Sequence, residues 1–585
     1  MSGAALLALL AAAAQEPVPP PAADTCTTGW VADVRIDNNS IFDLEEESER
    51  RFEWAYRAAN SLHFRTRSWV IRRELLVSPG DCYDGFMLEE TERLLRNYSF
   101  LARARVEGVR QPDGDWVVEV ETHDEWSTKL DARVGTDDGL KLEGFSLGED
   151  NLLGTGNRLS VFWLERRVTR EYGGAFHAPQ LFRSRWDFTM EAGRTRPGTF
   201  VREEVAYPFV GEVSEWAGRQ RYVRSDRLFD YVTRGAAEDH VLLPVREKFF
   251  GMGVMRRIGR EGSQGLLGAG LTFHELSYPG GIELAPGGRY EERVPADSAQ
   301  AAPVARQARE LNNIRASLLL GHRNIWWVKR RGLDSMQGEE DVRLGAEVML
   351  TLGRSLPSLE TDDDLFIAFN FYSGIQSGDG LVVTRLYADT RRNLQARLDE
   401  PEWEDLYTEA ELLAYWQTRA LADHTLVLRA TAVSAWDTRT PFQLTLGGET
   451  ALRGYDSESF PGGRRLAASA EDRIYVGWPM PEVLDAGLTV FADVGRIFPG
   501  DAPFGTDSGW RASAGLGVRG AFPAGGRTTY RIDFAWPLGY GQDLGDFRIR
   551  FSIGEPLGLG GRTTDFDRAR VRLLSVAGDL LSPPR

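Results

Sequence analysis

The chain of 585 residues has no apolar run of the roughly 18 or more residues that a membrane-spanning helix needs. That absence leaves a transmembrane β-barrel open, because a barrel strand alternates lipid-facing and lumen-facing residues and reads as only moderately hydrophobic. Histidine is scarce. The seven, at 63, 123, 177, 240, 274, 322 and 424, stand apart, with no HExxH string and no Cys/His pair at metal-ligand spacing. There is no GxSxG. Thr506-Asp507-Ser508-Gly509 lies between two expected strands and reads as a turn, and Gly558 to Gly561 is no phosphate loop. No enzymatic activity, cofactor or metal is therefore expected. Basic residues are outnumbered, 69 Lys and Arg against 86 Asp and Glu, for a net charge of -17. That balance excludes a nucleic-acid binder driven by counterion release.

What is present points to an exported, β-rich chain. It has 62 Gly, 16 Trp, 17 Tyr and 29 Phe. Ala4 to Ala14 has the length of a signal-peptide core, and Ala12-Ala13-Ala14 offers a small-residue cleavage site. No positive residue precedes Arg35, so the usual basic start is missing. Residues 1–23 are expected to be a signal peptide and Pro-rich leader. The two cysteines, Cys26 and Cys82, could pair in an oxidising compartment or remain unrelated thiols.

Residues 30–124 read as a small α+β module. Trp30 to Ile36 alternates as a strand. Asp43 to Leu62 places Phe52, Tyr56 and Ala59 at helical spacing. Trp69 to Val77 is apolar and reads as extended. Asp84 to Asn97 is a helix with Met87, Leu88, Leu94 and Leu95 on one face. Two strands follow, Ala102 to Val109 and Trp116 to Glu121, joined by Pro112-Asp113-Gly114.

From Trp126 the texture changes to alternating segments separated by Gly, Asp, Asn and Pro. Examples are Arg158 to Glu165, Leu267 to Tyr278, Val342 to Thr351 and Thr425 to Val433. Tilted strands of about 9–11 residues cross the hydrocarbon, so this pattern reads as a barrel over 126–557. The last strands have clear faces. Ile532 and Phe534 oppose Arg531 and Asp533; Ile549 and Phe551 oppose Arg548 and Arg550; Leu488, Val490 and Val494 oppose Phe491, Asp493 and Gly495. The charged faces must look into the lumen. Residues 280–311 lack periodicity and read as a long surface loop. Residues 393–411 are acidic and read as another loop leading into a strand, and 558–585 as a tail.

Arg453-Gly454-Tyr455 sits among Gly447, Gly448, Gly462 and Gly463, which permit close folding. A lumen carboxylate such as Asp493 is best matched by Arg, whose planar fork binds it bidentately. An Arg-Gly-Tyr loop followed by Phe491-Ala492-Asp493-Val494-Gly495, after a β-α-α-β-β module, resembles the BamA/TamA-type superfamily of outer-membrane assembly and translocation proteins. The string Leu75 to Val106 resembles that family's POTRA module, and Asn151 to Asn157 its early barrel turn. The resemblance implies one POTRA-like domain in the periplasm and an antiparallel transmembrane barrel of about sixteen strands. In it, Arg453, Gly454 and Tyr455 enter the lumen and meet Phe491, Asp493 and Gly495 on the wall. It implies insertion, assembly or translocation of proteins at the bacterial outer membrane. Implied partners are outer-membrane lipid, unfolded or secreted client polypeptide held by the module, and accessory periplasmic proteins. A single module and the unusual tail favour a specialised or accessory member. The alternative class is a passive porin-like pore or a surface adhesin barrel.

Overall fold

The computed structural model describes residues 26–41, 57, 60, 61, 63–135, 141–166, 168–233, 239–356, 362–396, 401–419, 423–448, 451–456, 458–476, 484–522, 524–539 and 546–554. The expected signal peptide and leader, most of the expected helix over Asp43 to Leu62, and the tail lie outside these residues.

The N-terminal module contains β1 (Val31–Asn39), α1 (Ser68–Glu74), α2 (Gly85–Arg96), β2 (Leu101–Arg110) and β3 (Trp116–Asp124). Its sheet runs β1-β3-β2, with β1 parallel and β2 antiparallel to the central strand. Asp84 caps α2 by accepting from the Phe86 amide. Leu88 and Leu95 then pack with Val34, Val106 and Val118. Cys26 and Cys82 form a disulfide that ties the lead-in to β1 to the turn before α2. The stretch expected to be extended, Trp69 to Val77, is mostly helix α1. Its apolar run is short, and periodicity cannot separate a strand from a buried helix at that length.

Among the described residues, twenty barrel strands of six or more residues follow, not sixteen. The first six are short: β4 (Thr128–Gly135), β5 (Lys141–Glu149), β6 (Arg158–Arg166), β7 (Thr169–Ala178), β8 (Asp187–Thr195) and β9 (Thr199–Tyr207). The next are taller: β10 (Trp216–Val232), β11 (His240–Arg260) and β12 (Ser263–Ser277). A flap of β13 (Glu283–Ala285), β14 (Val294–Pro295) and helix α3 (Ser298–Ala305) intervenes. The tall wall resumes with β15 (Leu311–Arg331), β16 (Glu339–Ser355), β17 (Asp364–Ser377), β18 (Gly380–Asn393), β19 (Trp403–Arg419) and β20 (Asp423–Trp436). A small hairpin, β21 (Leu444–Leu446) and β22 (Phe460–Gly462), precedes the last five strands. These are β23 (Arg464–Tyr475), β24 (Asp485–Phe498), β25 (Arg511–Ala521), β26 (Tyr530–Leu538) and β27 (Arg548–Ile553). The ring comes round with β27 beside β4. The count of sixteen rested on resemblance. The short early strands are rich in Gly and Arg and half-buried on both faces, so their alternation is faint.

The two faces of the later strands divide cleanly. Leu318, Leu320, Leu412, Leu428, Leu488, Val490, Leu516 and Ile532 are exposed on the outside, while Arg323, Glu411, Arg429, Asp493, Arg531 and Asp533 are buried on the inside. An outer apolar belt around a charged interior is the arrangement a hydrocarbon surround demands; a charge on that belt costs ~2–4 kcal/mol near the midplane.

The expected loop over 280–311 is folded, and the expected loop over 393–411 enters its strand early, at Trp403. Within 280–311, Ile282, Leu284, Val304 and Leu311 pack against Phe229, Tyr231, Val241 and Leu243, covering the far end of the tall wall. Glu404, Asp405, Glu409 and Glu411 belong to β19. Glu404 binds Arg309 at 2.8 Å, Asp405 binds Arg391 at 2.9 Å, and Glu411 binds Arg429 at 2.8 Å. These acids answer arginines on neighbouring segments, so they are paired rather than merely solvated.

Candidate functional site

After β20 the chain turns inward. Gly447 and Gly448 take φ of 141° and 82°, which suit glycine best. Leu444 and Leu446 on β21, with Phe442 and Leu452, pack on Val433, Ala435, Ala467 and Ile497 of β20, β23 and β24. The segment between β21 and β22 is thereby laid against the inner wall, carrying Arg453 with it.

Arg453 is 1 % exposed. Its Nε donates to Asp493 Oδ2 at 3.0 Å and its Nη2 to Oδ1 at 2.7 Å, a bidentate fork. Its backbone amide also donates to Asp493 Oδ2, at 3.1 Å. The guanidinium carbon lies 3.4 Å from the centroid of the Phe491 ring, a cation–π contact. Ser513 Oγ donates to Asp493 at 3.1 Å, and Ser469 bonds the same carboxylate.

The fork is one part of a larger network. Arg453 Nη1 reaches Glu471 at 2.7 Å and Asp533 at 3.5 Å. Arg531 grips Glu471 with Nη1 and Nη2, both at 2.7 Å, and Asp533 with Nε at 2.8 Å. Arg473 Nε donates to Glu471 at 2.8 Å. Three guanidinium groups thus meet three carboxylates in a water-poor interior. Removing one member of such a set leaves an uncompensated buried charge, at a cost of ~3–5 kcal/mol.

Space explains two glycines of the motifs. A Cβ on Gly454 would lie 2.7 Å from the Pro537 nitrogen and the Trp536 carbonyl carbon. One on Gly495 would lie 2.8 Å from Leu446 Cδ1. Tyr455 closes the contact: its hydroxyl donates to the Leu538 carbonyl at 3.4 Å, and its own carbonyl accepts from Arg550 at 2.6 Å. The structure therefore gathers Arg453, Gly454, Tyr455, Phe491, Asp493 and Gly495 at one place.

A second inward loop comes from the opposite end. In residues 332–338, between β15 and β16, the amides of Leu333, Asp334 and Ser335 donate to Glu340 at 2.8–2.9 Å. Asp334 accepts from Tyr415 at 2.6 Å and from Arg473 at 3.1 Å. Arg473 thus joins the two inward loops through Glu471. Next to the second loop, Arg96 of α2 forks onto Asp341 at 2.7 and 2.9 Å. Arg527 donates to the carbonyls of Tyr98 and Leu101. The turn over 151–157 also grips the module, with the Arg67 amide donating to the Gly154 carbonyl at 2.8 Å. The module is docked on the barrel's near end at Asp341, next in the chain to Glu340, which holds the second loop.

Sequence reasoning missed Glu471, Arg473, Asp334 and Ser513. A signal existed for two of them. Glu471 lies opposite Phe491 and Ser513 opposite Asp493, so period-two alternation carried across strand pairs points both inward. Asp334 carries no such signal, because it comes from a loop whose path the pattern does not describe.

Residues 407–556 match the Omp85 superfamily domain. The outer membrane protein assembly factor BamA of Neorickettsia risticii (strain Illinois) is 27% identical over 155 residues, which is 26% of this chain and 21% of that protein. The match therefore spans about a fifth of that relative's length. Among solved structures, BamA from Haemophilus ducreyi lacking POTRA domains 1-3 aligns with 90% of this chain and 84% of its own, at 13% identity and a TM-score of 0.36. CdiB from Escherichia coli aligns with 90% and 76%, at 13% identity and a TM-score of 0.45.

Proposed function

We propose that this chain, whose residues 407–556 match the Omp85 superfamily domain, is an outer-membrane barrel that assists the insertion, assembly or translocation of other polypeptides, as a specialised or accessory member. The N-terminal module lies in the periplasm in this reading, as a POTRA-like domain. An open sheet edge there offers backbone donors and acceptors to an extended client chain. The barrel supplies the route or the lipid-facing edge.

The observation that carries the reading is the seating of Arg453 on Asp493, Phe491 and Glu471 inside the lumen. A passive pore needs no Arg-bearing loop pinned on its inner wall, nor a second inward loop set beside a docked module. In the proposed role, the pin holds the loop against β23–β26 and sets the barrel's working shape. Occupancy of the module by a client reaches the loop through Arg96, Asp341, the 332–338 loop and Arg473.

The test uses purified full-length protein in liposomes supplied with an unfolded outer-membrane barrel protein. Wild type is expected to speed its folding or translocation over empty liposomes. Arg453→Ala, with the barrel still folded by heat-modifiability, is expected to lose most of that gain. Steady open conductance with no effect on the client would sink the proposal in favour of a pore. A reciprocal exchange of Arg453 and Asp493 is not expected to rescue, because a carboxylate at 453 would face Glu471 and Asp533.

A further inference from the structure

We propose that Asp230, His240 and Glu458 form a divalent-cation site that fastens the returning limb of the lumen loop to the β10–β11 hairpin. Their ligand atoms all lie within 4.8 Å of one another. Asp230 and His240 are diagonal neighbours on one face of that hairpin, since Val232 pairs with His240 and Asp230 with Leu242. His240 is fully buried and Asp230 side-chain exposure is 17%. Glu458 arrives from a distant part of the chain, five residues beyond Arg453 on the same loop.

The donor set is one imidazole nitrogen and two carboxylate oxygens, without thiolate. Nitrogen and oxygen donors of this kind suit Zn2+ or Mn2+, with water completing the coordination. His240 Nδ1 lies 2.7 Å from Asp230 Oδ1, the spacing of a hydrogen bond. Exchanging that proton for a metal opens the pair to about 3 Å and draws Glu458 inward, for bonds of about 2.0–2.2 Å. Two carboxylates beside one buried imidazole are a donor set that a divalent cation complements. The competing occupant is a proton on His240. A metal does more than balance charge: it ties Glu458 to a wall opposite the one that holds Arg453. The loop is then held at two points, one by arginine and one by the cation. Divalent ions outside the cell would set how firmly it stays in place. The site itself goes beyond the assembly reading; only the side from which its ions come rests on that reading's periplasmic module.

The probe is Zn2+ with the full-length protein in detergent, stripped with EDTA and dialysed. Titration calorimetry and metal analysis are expected to show a tight site of one Zn2+ per chain. His240→Ala and Glu458→Gln are each expected to weaken it by roughly a hundredfold or more, a loss at least as large as outer-shell changes produce. In wild type, Zn2+ is expected to slow hydrogen exchange in residues 451–460, with no such effect in Glu458→Gln. Equal uptake by wild type and His240→Ala would mean adventitious binding and would overturn the proposal. So would uptake lost in His240→Ala but unchanged in Glu458→Gln, since the loop would then hold no metal.

Discussion

Strands β10 to β12 and β15 to β20 run 14 to 21 residues, whereas β25 to β27 and β4 to β9 run 6 to 11. The tall wall has long ladders of backbone hydrogen bonds and carries the folded 280–311 segment at its far end. The short wall includes the meeting of the last strand with the first, where β27 offers only six residues. The lumen loop leans across β23 and β24, of 12 and 14 residues, onto the short β26 and β27: Arg453 and Tyr455 reach Glu471, Asp493, Asp533, Leu538 and Arg550. The tall side adds longer backbone ladders to its own buried side-chain pairs. The short side gains its definition from side chains, and those side chains include the loop.

The largest expected effect comes from breaking the pin. Arg453→Ala or Asp493→Ala should destabilise the barrel by ~3–5 kcal/mol through the charge left behind, read as a lower unfolding midpoint in urea. Loop proteolysis should rise with it. Arg429→Ala sharpens the comparison on the tall wall, where Arg429 pairs with buried Glu411. Its stability loss should be similar, at ~3–5 kcal/mol, yet the loop should stay protected. If Arg429→Ala also frees the loop, the two walls do not differ as described.

Gly454→Ala should cost about 1–3 kcal/mol by overpacking against Pro537 and Ser513, with loop release as the visible sign. Cys26→Ser should lower the module's stability by about 2–4 kcal/mol while leaving the barrel's transition in place, seen as an earlier separate step in thermal unfolding. The smallest effect concerns the rim. Asp507 is held down to about 2 by the hydrogen bond from Arg496. A lowered carboxylate contributes fully above its ordinary pKa near 4, and that contribution is lost only as pH falls toward 2. The pair is solvent-exposed, so Arg496→Ala should leave the unfolding midpoint at neutral pH unchanged within error.

The alternating faces of β24 to β27 and the inward side of Asp493 were legible because period two there is strong. The contact between Arg453 and Asp493 was reached by charge and by family motif, not by periodicity. The strand count was not legible, since β4 to β9 are short and mixed on both faces. The fold of 280–311 was hidden because its order comes from packing on Tyr231 and Leu243, not from its own pattern. The wider ionic network was half-visible: Arg531 and Asp533 read as inward, but Glu471 became central only when strand register brought it opposite Phe491.

The central claim is that Arg453 keeps the lumen loop on the wall of β23 to β26. Hydrogen–deuterium exchange of residues 444–463 in full-length protein tests it most directly. Slow exchange in wild type and in Arg429→Ala, with fast exchange in Arg453→Ala, is the predicted result. Equal exchange in wild type and Arg453→Ala would contradict it.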